Sequence, residues 1–141
     1  MNDKKKSSPI CIAYIDGASR GNPGEASVGV SLCAKDGQEL ATVAKYIGQA
    51  TNNVAEYTSL LEALDLAKAQ MCKNVKIYAD SQLMVRQIQG IYKVKNPELK
   101  KLWQQAMDKI QLFDSFEIEH VRREYNKRAD ELANIALDSK F

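Results

Sequence analysis

Histidine is almost missing from this chain: His120 is the only one among 141 residues. It falls in a stretch where Phe116, Ile118 and His120 alternate with Glu117 and Glu119. Alternation of that period places His120 on the apolar face of a strand, as a packed residue and not a proton shuttle. Cysteine is sparse as well. Cys11, Cys33 and Cys72 are odd in number, far apart and set in apolar or helical contexts, without the paired spacing of a zinc site or a redox motif. Three reduced structural thiols are expected. No apolar run approaches the length of a membrane span, and Met1 to Ser8 is too polar to be a signal peptide. A cytoplasmic protein without membrane contact is therefore expected. The net charge of +2 is too small to mark a nucleic-acid binder, so any electrostatic footprint must be local. There is no internal repeat, and the only biased segment is the Lys-Ser tail.

What is present fits one globular domain. The length sits within the usual range for a single domain, and 45% hydrophobic with 27% charged residues suits a soluble fold. A polar, flexible tail over residues 1–8, one domain over 9–141 and a monomeric state are expected. Pro9 to Ile15 is continuously apolar with a β-branched bias, as a strand buried on both faces would be. Ala26–Ala34 and Gln38–Ile47 read as further strands joined through Lys35-Asp36-Gly37, a hairpin signal. From Val54, the apolar positions Tyr57, Leu61, Leu64 and Met71 follow the helical period. Val75–Ala79 alternates as a strand, Ser81–Gln89 reads as a helix stopped by Gly90, and Pro97 opens another. Phe116–Val121 is a strand and Asn126–Ser139 the last helix. The order βββαβααβα is α/β, and a mixed five-stranded sheet with helices on both faces accommodates its parallel connections.

Four carboxylates stand where such elements begin and end. Asp16 closes the first apolar run, Glu56 opens the long helix, Asp80 follows the short strand and Asp130 opens the last helix. Singly, each has a structural reading: a turn residue before Gly17, a capping-box partner of Asn53, a helix cap beside Ser81, and a dipole complement. Gathered at one sheet edge, they would repel one another unless cations neutralised them. Oxygen-only ligands suit Mg²⁺ or Mn²⁺.

The segments Tyr14-Ile15-Asp16-Gly17-Ala18-Ser19-Arg20-Gly21-Asn22-Pro23-Gly24, Thr51-Asn52-Asn53-Val54-Ala55-Glu56, Tyr78-Ala79-Asp80-Ser81-Gln82 and Asn126-Lys127-Arg128-Ala129-Asp130-Glu131-Leu132-Ala133 resemble, in order, the four signature blocks of type 1 ribonuclease H. The resemblance implies the strand order 3-2-1-4-5, which sets Asp16 beside Asp80 at the carboxyl ends of adjacent strands, where ligands of open α/β sheets bind. It implies Asp16, Glu56, Asp80 and Asp130 as catalytic, metal-binding acids holding two Mg²⁺ or Mn²⁺ ions. The implied activity is endonucleolytic hydrolysis of the RNA strand of an RNA–DNA hybrid, leaving 5′-phosphate and 3′-hydroxyl ends. Asn22, Asn52, Asn53 and Gln82 match positions that contact the hybrid's minor groove, where amides can donate to and accept from 2′-hydroxyls. Thr51 matches a position that helps hold a DNA phosphate, and Asn126 a polar substrate-side position four residues before the last acid.

Two features depart from the common pattern. The basic, aromatic-rich handle that many members insert after the second helix is replaced by Ile88 to Pro97. The loop before the last acid reads Arg122-Arg123-Glu124-Tyr125, without the family's frequent histidine. The chain thus resembles the compact archaeal and bacterial branch, with Lys93, Lys95, Lys100 and Lys101 as candidates for lost phosphate contacts. Two other functions stay open at this point: a nuclease acting mainly on double-stranded or structured RNA, and a nucleic-acid-binding module without catalysis.

Overall fold

The computed structural model describes residues 10–140, so the tail expected over residues 1–8, and Pro9, lie outside the described residues. The elements are β1 (Ile10–Gly21), β2 (Gly24–Ala34), β3 (Glu39–Ala50), α1 (Asn52–Ala69), β4 (Asn74–Ala79), α2 (Gln82–Ile88), α3 (Pro97–Ile110), β5 (Ser115–His120) and α4 (Lys127–Ser139). A short 3₁₀ turn, Arg123–Tyr125, leads into α4. The sheet runs β3-β2-β1-β4-β5, antiparallel between β1, β2 and β3 and parallel from β1 through β4 to β5.

β1 is longer than its apolar run. The parallel pairing with β4 stops at Ile15 and Ala79, whereas the antiparallel pairing with β2 continues to Gly21 opposite Gly24. Asp16 is therefore inside a strand and not at its end, because β2 goes on satisfying the backbone after β4 has turned away.

Alternation divides the sheet into two faces. Cys11, Ala13 and Ile15 on β1, Val30 and Leu32 on β2, and Val75 and Ile77 on β4 pack with Tyr57, Leu60 and Leu64 of α1 in the main core. Each buried valine, leucine or isoleucine among them contributes about 1.5–3 kcal/mol. α4 lies on the opposite face: Ser27 of β2 donates its hydroxyl to the Ala133 carbonyl. The expected helices on both faces are thus present.

Three local expectations are corrected. Cys11 and Cys72 are not free thiols but a disulfide with a Cα–Cα distance of 6.0 Å, leaving Cys33 as the free, buried cysteine. The sequence spacing hides this pair; the β1–β4 register brings them together by setting Cys11 opposite Val75, three residues beyond Cys72. Met71 is not on the buried face of α1; it follows the helix in a left-handed turn (φ 62°), 76% exposed. His120 is exposed rather than packed, at the last residue of the edge strand β5.

Candidate active site

Two glycines let helices from opposite faces close on two neighbouring strands. Gly29 of β2 lies opposite Asp16 in the register. A Cβ on Gly29 would stand 2.2 Å from the Ala129 carbonyl oxygen and 2.6 Å from the Ala133 nitrogen, so α4 rests on bare backbone. A Cβ on Gly17 would stand 2.2 Å from the Ala55 carbonyl carbon and 2.4 Å from the Glu56 nitrogen, so α1 does the same on the other face. Because neighbouring residues of a strand point to opposite faces, Gly17 meets α1 while Asp16 faces the α4 side. The Gly17 N–H then donates to Glu56 Oε1 at 2.9 Å. Glu56 consequently turns to β1, and the capping box with Asn53 does not form. Thr51 caps α1 instead, accepting from the Val54 N–H at 3.2 Å. Ser81, not Asp80, caps α2.

Asp16, Glu56 and Asp80 each present a carboxylate oxygen such that all three lie within 4.8 Å of one another. Asp130 joins them along a cavity of about 590 Å³ that Asn52, Arg123 and Asn134 also line. The negative charges are poorly solvated. Asp16 is 6% exposed, and its carboxyl is pushed up to about 8, first by burial and then by the charges of Asp80 and Asp130. Glu56 is held well above the ordinary glutamate range, again by burial first, then by Asp16 and Asp80, with the Gly17 N–H opposing. Protonation is one relief for such a cluster, and a bound cation is the other. The donor set is all oxygen, convergent and short of positive charge, which fits a hard divalent cation. Among the described residues this is the one group of three or more such side chains that could hold a metal ion.

The amides expected around the acids form a lattice on the rim. Asn52 Oδ1 accepts from the Ser19 N–H and Asn22 Oδ1 from the Asn52 N–H, both at 3.1 Å. Both residues are exposed, as are Asn53 and Gln82 on the first turns of α1 and α2. Asn126 behaves differently from its expected substrate-side place: it is 1% exposed, and its Nδ2 donates to the Ile15 carbonyl at 2.8 Å. Its side chain ties the start of α4 to β1 next to Asp16, so burial removes it from any substrate surface. Ser19, Arg20, Arg123 and Asn134 also line the cavity and were not singled out by motif. For Asn134 there was a usable signal, its position one helical turn after Asp130.

A family described as reverse transcriptase-like matches residues 14–136. Ribonuclease HI of Halobacterium salinarum is 44% identical over 126 residues, covering 89% of this chain and 63% of that protein. A bifunctional protein of Mycobacterium tuberculosis is 42% identical over 129 residues, covering 91% of this chain and 35% of its own length. The chain thus spans less than two thirds of either relative. Among solved structures, LC11-RNase H1 in complex with an RNA/DNA hybrid is 41% identical with a TM-score of 0.87, covering 92% of this chain and 98% of that one.

Proposed function

This chain belongs to the type 1 ribonuclease H family, and on that premise we propose that it is a divalent-cation-dependent endonuclease hydrolysing the RNA strand of RNA–DNA hybrids. The observation that carries the reading is the convergence of Asp16, Glu56 and Asp80 within 4.8 Å, with Asp130 along the same cavity. Those four acids would hold Mg²⁺ or Mn²⁺, two ions per site. The ions, when bound, supply activation of the attacking water and charge compensation for the scissile phosphate and its departing 3′ oxygen, leaving 5′-phosphate and 3′-hydroxyl ends.

The protein's own part is positioning. Asp16 lies on β1 just past the last residue paired with β4 and still paired with Gly29 of β2, so the carboxylate best placed to bridge is mounted on hydrogen-bonded sheet. Glu56 is held by the Gly17 N–H and Asp80 by the end of β4, which fixes the spacing of the acids before substrate arrives. The rim amides read the duplex. Because Asn22 and Asn52 use their carbonyl oxygens internally and are exposed, each keeps an amide NH₂ that can donate to 2′-hydroxyl or base acceptors in a minor groove. Thr51 holds the turn on which Asn52 and Asn53 sit. Asn53 and Gln82 complete the groove-facing set.

The test is cleavage of an end-labelled hybrid by the whole chain in Mg²⁺, in Mn²⁺ and in chelator, beside double-stranded and single-stranded RNA. Metal-dependent cuts in the hybrid's RNA, with products that a 5′-phosphate-dependent exonuclease degrades, are expected. Cleavage of double-stranded RNA in preference to hybrid, or none of any substrate in either metal, would refute the reading.

A further inference from the structure

Asp130 differs from the other three acids in how it is held. Its backbone is fixed: α4 is seated on Gly29, the Ala133 carbonyl accepts from Ser27, and Asn126 ties the helix start to Ile15. Its side chain, by contrast, reaches Asp16 but is not one of the three that all lie close to one another, Asp16, Glu56 and Asp80. One turn along α4, Asn134 donates its Nδ2 to the Asp130 carbonyl at 2.9 Å and to Asp130 Oδ1 at 3.3 Å. Residues four apart on a helix lie one above the other, and Asn134 lines the same cavity. A cation, Arg123, also approaches Asp130 Oδ1, at 3.8 Å, but its side chain is 81% exposed. An exposed guanidinium at that distance restrains a carboxylate weakly.

We infer that Asn134 is a positioning residue for the divalent-cation centre, holding the Asp130 carboxylate in one orientation without neutralising it. The chemistry explains the residue type. A lysine or arginine bonded to Oδ1 would offset the charge that Asp130 offers a cation, and an aspartate would add a repelling charge. An amide N–H fixes the carboxylate and leaves its charge intact. The hydrogen bond to the Asp130 carbonyl anchors the amide itself, so both ends of the restraint are defined.

The inference rests on the reading of the acids as a cation centre, and its test is read on metal without substrate. Mn²⁺ alone is titrated into the whole chain, with bound ion counted by electron paramagnetic resonance and melting temperature followed in parallel. For Asn134→Ala, the Mn²⁺ concentration for half-maximal binding should rise by about tenfold, while the melting temperature in chelator stays within about 2 °C of wild type. Asn134→Gln, which keeps an N–H donor on a longer arm, should recover part of that affinity. In the hybrid assay the metal requirement of Asn134→Ala should shift by the same factor, with KM for hybrid at saturating metal unchanged. Unaltered Mn²⁺ affinity in Asn134→Ala, or equal losses in the Ala and Gln variants, would overturn the inference. Wild type that binds Mn²⁺ but cleaves no nucleic acid would instead overturn the functional reading and leave the positioning role standing.

Discussion

At the scale of single residues, burying acids beside one another costs stability. In an unfolded chain an aspartate titrates near 4. In the folded, metal-free protein Asp16 is pushed up to about 8 by burial and by its acidic neighbours. Between those values the folded state holds a proton that the unfolded state has lost, so this group's stabilising contribution is complete below about pH 4 and falls away as pH rises through about 8. The melting temperature in chelator should therefore decline from pH 5 to pH 9, and Asp16→Asn should flatten that decline and melt higher than wild type at pH 9, by roughly 5 °C. A lower melting temperature for Asp16→Asn in chelator would assign the carboxylate a structural role. The same variant should show no measurable hybrid cleavage while binding hybrid about as well, since phosphate and sugar contacts dominate affinity. Gly17 belongs to this scale too. Its missing side chain is what allows Glu56 to reach β1, so Gly17→Ala, whose Cβ would meet the α1 backbone at 2.2–2.4 Å, should lower cleavage at least a hundredfold in a folded protein. Circular dichroism alongside kinetics checks both halves of that expectation.

At the scale of elements, the ends of the sheet do different work. The acids cluster where the β1–β4 pairing stops at Ile15 and Ala79, whereas the Cys11–Cys72 disulfide lies near the opposite end of that pairing. The disulfide closes a loop with a sequence separation of 61, for which a chain-entropy model assigns about 4 kcal/mol. Replacing both cysteines by serine, or adding reductant, should lower the melting temperature on the order of 10 °C and leave the cleavage rate at 25 °C within about twofold. A loss of activity parallel to the loss of stability would show that this end of β1 governs the acids as well. β5 offers a contrast in the same measurement. His120 ends an exposed edge strand, so His120→Ala should change stability by less than about 0.5 kcal/mol, against the 1–3 kcal/mol expected of a packed residue, with the cleavage rate unaltered.

At the scale of the whole molecule, the proposed function predicts a grip on duplex limited by what the α2–α3 connection contains. α2 ends at Ile88 and α3 begins at Pro97, so no additional helix projects between them. Lys93 and Lys95 on this connection and Lys100 and Lys101 in the first turns of α3 are exposed, without a salt-bridge partner among the described residues. A few exposed lysines would bind phosphates through counterion release, which salt competes away. Hybrid affinity measured by fluorescence anisotropy should fall at least tenfold between 50 and 200 mM salt, and a basic handle grafted between Gly90 and Asn96 should restore it. Tight binding by the unaltered chain at the higher salt would contradict this account.

The sequence alone determined the order of elements, the strand order through its family resemblance, and the identity of the acids. These rest on local signals: the apolar period of α1, the Lys35-Asp36-Gly37 hairpin, Pro97 at the head of α3 and four motif blocks in register. Tertiary structure decided everything that depends on partners distant in sequence. Asp16 proved to be inside a strand because β2, not β1, determines where pairing ends. Cys11 found Cys72 because β4 returns beside β1, an alignment that no cysteine spacing encodes. His120 shares its strand's alternation but not its burial, since a pattern of period two says which face a residue occupies and not whether anything covers that face. Asn126 sits inside a signature block, yet packing against Ile15 turned it inward to hold α4 in place. Motifs name the groups that can do chemistry; backbone pairing and the two bare glycines under α1 and α4 set which of those groups meet.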